Sequence, residues 1–262
     1  SGIQEGLWNC DTVLVIKDVI VPEDKSLTIS EGTRVVFKDY FSITVNGSLK
    51  AFGSETDSIY FTARDTTGFF NWKKGKGGWS GLVLQNAKDT VILDYCHFSF
   101  GKAVSSQQSA VSSQGYGGAL RICNSIVNIS NSTFYHNLSD SKGGALYAEH
   151  SSIKISNCEV DSNFGFNDEG VYMHGAGFQF SNCDVMMEDM YFHDNYCANC
   201  YGGGANFDSC NVYVNNAIFE DNYAVNAAGM GIQRSNDYDV KVYNCLFNNN
   251  ISYHYGGAMA MA

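Results

Sequence analysis

Proline is nearly absent from this sequence, with one residue in 262, while glycine occurs 27 times. Turns are therefore made by glycine and asparagine rather than by proline. Helix-favouring runs of Ala, Leu, Glu and Lys are missing as well, which points to an all-β chain. Bases are scarce: 16 Lys and Arg against 27 Asp and Glu leave a net charge of −11. A nucleic-acid partner, which needs a basic surface to displace counterions, is excluded on that ground. The one basic cluster, "KKGKGG" at 73–78, reads as a solvated loop rather than a phosphate site. No apolar run approaches the ~18 residues that would cross a membrane, and no signal peptide is recognisable. The opening "SGIQEG" reads as the start of a processed piece.

What the sequence does contain is a repeat. Glycine openings recur as GGAL at 117, GGAL at 143, GAGF at 175, GGAN at 203, GMGI at 229 and GGAM at 256. In phase with them runs an apolar residue followed three positions later by Asn: "FYHN" ending at Asn137, "VDSN" at Asn163, "FHDN" at Asn195, "FEDN" at Asn222 and "FNNN" at Asn250. Between the markers apolar residues alternate with period two, as in "SIVNIS" and "NVYV", which is strand periodicity. A short unit of strands without a helix cannot bury its own apolar face. Stacked at ~4.8 Å, such units build one continuous core, so each is expected to be a coil of a parallel β-solenoid. Glycine then serves corners that need positive φ or close backbone approach. Asn tolerates the left-handed region and, repeated at one corner, can bond along the stack as a ladder. Phe134, Val160, Phe192, Phe219 and Phe247 are expected to form an inward stack. Residues 1–116 read as an N-terminal cap and early coils, and 117–262 as regular coils of the same solenoid, continuing beyond 262. The total is about ten coils, with excursions at 64–78 and 101–116.

Two resemblances follow. The stretch "IVPEDKSLTISEGTRVVFKDYFSITVNGSLKAFGSETDSIYFT", followed by "WSGLVL", resembles the start of secreted right-handed parallel β-helix proteins of the pectate-lyase-like superfamily. The GGA and Phe-x-x-Asn markers of the second half resemble the repeats of polymorphic outer-membrane-protein adhesins, autotransporter passengers built as such β-helices. The resemblance implies an all-β, single right-handed parallel β-helix at the cell surface or outside the cell. It implies no single activity, because the fold hosts lyases, hydrolases, epimerases, adhesins and filament subunits.

Candidate sites are few. Nine cysteines fall largely in register and read as small inward or corner residues of the stack, with a Cys183–Cys210 bridge between coils as the other reading. "HDNYCANC" places Cys197 and Cys200 as a local disulfide or two free thiols, and less readily as a metal or redox pair, since structural zinc needs four ligands. His136, Asp194 and Asp221 share one register with Ser162 and Asn249; Asp161, His193 and Glu220 share the next. They form a polar strip, read either as solvated turn flanks or as acid–base and cation-binding groups. Sequons occur at Asn46, Asn128, Asn131, Asn137 and Asn250, of which the last two belong to the ladder and leave no room for a glycan. Aromatic clusters such as "GFFNW" and "ISYHYGG" suit sugar faces. No cofactor, resident metal or catalytic set is expected. The expected role is structural or adhesive, a rigid stalk or surface-filament subunit. The alternative is a β-helix that binds or cleaves polysaccharide. Expected partners are further copies or a longer chain joined through the last coil, and surface glycans.

Overall fold

A computed structural model describes residues 2–105, 115–166, 173–234 and 237–261. All regular structure among them is strand, and every strand pairing is parallel. The chain winds as a parallel β-helix with three faces. The first carries ten strands, from Gly2–Ile3 through Leu82–Gln85 and Leu146–Glu149 to Met259–Met261. The second and third meet at a shallow corner, so in Ser152–Asp161, Asp184–His193 and Asn211–Glu220 one strand serves both. Short pairs such as Leu138–Ser139 and Phe164–Gly165 close the coil between the third face and the first. Pairing runs without a seam past residue 116, since Leu82–Gln85 pairs with Leu120–Cys123 across the 101–116 excursion.

The alternation seen in the sequence becomes alternation of burial: Ser152–Asp161 is exposed and buried by turns along its length. In-register stacking turns each buried position into a column. On the third face the column runs Phe61, Phe98, Phe134, Val160, Phe192, Phe219, Phe247. Neighbouring rings stack at 4.9 Å for Phe61–Phe98 and 4.8 Å for Phe192–Phe219. Val160 is too small to continue that stack. Phe178, reaching in from the first face, fills the gap edge-on at 5.0 Å from Phe134 and 5.4 Å from Phe192.

The corners refine the roles assigned to glycine and asparagine. Gly117, Gly143 and Gly175 do adopt positive φ, at 65°, 64° and 68°. Pairing of Leu120, Leu146, Phe178, Ala205, Met230 and Met259 shifts the fourth and fifth openings to Gly202 and Ala227, so glycine is not universal there. Ala227 holds φ 52° with a Cβ. The ladder asparagines are not left-handed. The residue before each one is: His136, Ser162, Asp194, Asp221 and Asn249 have φ between 50° and 54°. Polar residues recur at that register because a β-branched or bulky apolar residue is strained there.

The 64–78 excursion is tied down by a buried lysine. Lys102 Nζ donates to the carbonyls of Asn71 and Lys76 at 2.9 and 3.0 Å, with Gly68 at 3.4 Å. Burial pushes its pKa down to about 8.

A polar strip on the third face as the candidate functional site

Positions flanking the inward phenylalanine column point outward and form two parallel columns of side chains. One runs Arg34, Tyr60, His97, Thr133, Glu159, Tyr191. The other runs Ser99, Tyr135, Asp161, His193, Glu220 and Asn248. Between Tyr60 and Asp161 they line a groove of about 320 Å³. At one end the Arg34 guanidinium lies 4.7 Å over Tyr60, whose ring stacks on His97 at 4.8 Å. His97 Nδ1 is hydrogen-bonded to Thr133 Oγ1. At the other end Tyr191 stacks on His193 at 4.2 Å.

His193 is where the carboxylates converge. Its Nε2 meets Glu159 Oε1 at 3.0 Å; its Nδ1 meets Asp194 Oδ2 at 2.9 Å and Asp161 Oδ1 at 3.5 Å. Tyr191 donates to Glu220 at 2.7 Å, and Asn248 donates to the other Glu220 oxygen at 2.6 Å. Burial by itself would lower the His193 pKa, but hydrogen bonds to Asp194 and Glu159, with the Asp161 charge, outweigh it and raise the value. His97 goes the other way, lowered by burial against a weak pull from Glu159. The two ends of the strip thus differ in sense, the surroundings favouring the protonated ring at His193 and the neutral ring at His97. Asp161, His193 and Asp194 present ligand atoms within 4.8 Å of one another. Both His193 nitrogens are already engaged with carboxylates, so the cluster is satisfied by a proton.

The two registers singled out in the sequence separate here. Asp161, His193 and Glu220 lie on the strip, and Asp194 joins them from the corner. His136 instead packs among Phe70, Phe100 and Phe164. Glu159, Tyr60, His97 and Tyr191 were not singled out, although their column lies one residue before the inward phenylalanine and could have been read from it. Larger hollows of about 730 and 540 Å³ follow the second face, but their walls are mostly Asn, Ser and aliphatic. Asp184 there accepts a hydrogen bond from Asn211, and Asp239 pairs with Lys241.

The remaining sequence candidates have structural surroundings. Asn137, Asn163, Asn195, Asn222 and Asn250 form a continuous chain of side-chain amides. Asn163 Oδ1 accepts from the Asn137 amide side chain and backbone N–H, each at 3.0 Å. Asn163 Nδ2 donates onward to Asn195 Oδ1 at 3.0 Å and back to the Phe134 carbonyl at 2.9 Å. Cys197 and Cys200 are joined by a disulfide, which removes the metal reading because each sulfur is bonded to the other. Cys183 and Cys210 stand as free thiols in adjacent coils, with the Cys183 N–H donating to Cys210 Sγ at 3.3 Å. Among the sequons, Asn128 is exposed on the second face and Asn46 is half-buried at a turn. The Asn131 amide is engaged at both ends, donating to Asp94 at 2.8 Å and accepting from Asn157 at 2.6 Å.

Register also explains the cysteines better than core filling does. At the corner between the first and second faces, the Ala87 N–H donates to Ser125 Oγ and the Ser125 N–H to Ser151 Oγ, at 3.0 and 3.1 Å. Cys183 and Cys210 continue that ladder. Each thiol also bonds the carbonyl two residues back at 3.3 Å, as Ser125 does at 2.8 Å. Between the second and third faces Cys96, Ser132 and Cys158 repeat the pattern. Cysteine here acts as a larger serine. Cys158→Ser is therefore expected to cost well under half of what Cys158→Ala costs, about 1–2 kcal/mol in the alanine case from two lost hydrogen bonds and a small void. Equal losses in urea denaturation would assign the sulfur to packing alone.

Stacked three-sided coils, an inward aromatic column and a buried asparagine ladder define a parallel β-helix protein. Residues 117–259, more than half of the chain, match the family model described as the right-handed β-helix region, and the chain belongs to that family. The match conveys the class of fold and no activity. No curated protein and no solved structure matches the chain.

Proposed function

We propose that this chain is an extracellular, non-catalytic β-helix that adheres to carbohydrate through its third face, the coils acting as a rigid stalk. The observation that carries the reading is the pair of aromatic platforms, Tyr60–His97 and Tyr191–His193, with hydroxyl and carboxylate groups between them. Aromatic faces suit the apolar side of a pyranose ring, and fixed polar groups set its orientation. A strip that repeats at the coil spacing suits a linear polymer lying along the axis. Its acidity disfavours uronates and favours neutral or amino sugars. Catalysis is disfavoured because both ring nitrogens of the histidine at the centre are already taken up by carboxylates, leaving neither free to face a substrate. The Cys197–Cys200 disulfide suits an oxidising compartment outside the cytosol.

Strands of the last coil pair on one side only among the described residues, and Leu246, Ile251 and Met261 are exposed there. Within the same proposal, such an edge suits pairing with a second copy of the chain. Sedimentation showing monomers at every concentration removes the second-copy version.

The test of the adhesive reading is retention on insoluble neutral, amino and uronic polysaccharides, with release of reducing ends followed in parallel. Wild-type protein is expected to bind the neutral or amino polymers without releasing ends. Tyr191→Ala is expected to weaken that binding about tenfold or more. Unchanged binding by Tyr191→Ala overturns the placement of the site, and accumulation of reducing ends overturns the non-catalytic reading.

A further inference from the structure

We propose that Cys183 and Cys210 are a modification site, a thiol pair that closes into a disulfide between adjacent coils on exchange with a small-molecule disulfide. Cys183 immediately precedes Asp184 and Cys210 immediately precedes Asn211, and those two residues are paired in register. The cysteine α-carbons therefore stack at about the 4.8 Å of neighbouring strands, inside the roughly 4.4–6.8 Å that a disulfide spans. Their side chains share one corner column, and the Cys183 N–H lies 3.3 Å from Cys210 Sγ. No other free cysteines among the described residues are so placed. Ser132 separates Cys96 from Cys158, Cys123 stacks on Glu149, and Cys245 stacks on Ala217.

Access is one-sided. Both cysteines are buried, Cys183 at 4% and Cys210 at 2% exposure, but Cys183 borders the hollow of about 730 Å³ at this corner, so a small disulfide reaches it first when the corner opens. Cys183 is thus the first attacker. Its thiolate displaces one sulfur of a small disulfide such as oxidised glutathione, giving a mixed disulfide and one glutathione thiol. Cys210 then attacks the Cys183 sulfur, the inter-coil S–S bond forms and a second glutathione thiol leaves. The protons of both cysteines pass to the two leaving thiolates. Two cysteine thiols are oxidised and one glutathione disulfide is reduced. The product closes a loop with a sequence separation of 27 residues between two stacked coils, constraining the unfolded chain.

The experiment equilibrates the full chain in glutathione buffers of rising oxidised fraction, then alkylates it and maps peptides by mass. Cys183 and Cys210 are expected to lose alkylation together, with a linked peptide two hydrogens lighter and a rise of several degrees in melting temperature that reductant reverses. Cys210→Ser, which keeps the hydrogen-bonding ladder, is expected to accumulate a glutathione adduct on Cys183. Cys183→Ser is expected to leave Cys210 alkylatable and to abolish the thermal shift. Wild-type protein that keeps both thiols in oxidising buffer overturns the proposal. So does a Cys183 adduct that Cys210 fails to resolve.

Discussion

Replacing Asn195 by aspartate is expected to destabilise the protein by roughly 4 kcal/mol or more near neutral pH. Asn195 is fully buried, and both halves of its amide are used. Its Oδ1 accepts from the Asn163 side chain at 3.0 Å and from the Asn163 backbone at 3.1 Å. Its Nδ2 donates to the Val160 carbonyl and to Asn222 Oδ1, each at 2.8 Å. A carboxylate keeps the first role and inverts the second, aiming an anionic oxygen at two acceptors with no water between them. Desolvation and repulsion together raise the folded-state pKa of the new acid above its unfolded value near 4. A raised acid pKa means that the penalty is full above the folded value and fades as pH falls through it, because the protonated carboxyl regains one donor. Urea denaturation at about pH 7 and about pH 4 checks this, with Asn195→Ala as reference. The aspartate variant should be the worse of the two near pH 7 and should close on alanine near pH 4. Equal losses at both would mean that the ladder contributes shape rather than hydrogen bonds.

Truncating Phe178 to alanine is expected to cost about 3–5 kcal/mol, because its ring bridges two stacks that Val160 leaves apart. The companion substitution is more diagnostic. Val160→Phe restores the residue found at this register in the coils on either side, and a repeat-averaged view of the sequence would expect it to stabilise. The space is already occupied by Phe178, so it should instead destabilise by about 1–3 kcal/mol through overpacking. The double variant Val160→Phe, Phe178→Ala should then lose less than the sum of the two single losses, since each change answers the other. Additive losses in a denaturation cycle would refute the idea that the two side chains share one volume.

That pair also marks where reading the sequence stops. The Phe-x-x-Asn marker reveals the coil, its period and the inward column, because a stack of identical positions amplifies any residue that suits them. The same amplification made the asparagines conspicuous. It could not reveal that the left-handed φ belongs to the preceding residue, since His136, Ser162 and Asp194 share a backbone conformation and little chemistry. Nor could it separate corner cysteines from core cysteines, which differ only in the hydrogen bonds their sulfurs meet.

The candidate strip was only half visible for a related reason. Asp161 and His193 stand out as polar residues at one register, but Glu159 and Tyr191 belong to the neighbouring column, and Asp194 turns in from the corner. A cluster around His193 exists because coils of unequal length place residues 34 apart in sequence 3.0 Å apart in space.

From sequence alone come the all-β class, the winding of the chain into coils, the inward phenylalanines and the positions of the buried asparagines. All of these are repeated, local and written in periodicity. The tertiary structure alone decided that Phe178 completes a stack on another face, that Cys183 meets Cys210 as a free thiol, and that three carboxylates converge on one histidine. Each of those depends on which residues successive coils bring level with one another, and unequal coil lengths hide that register from the linear sequence.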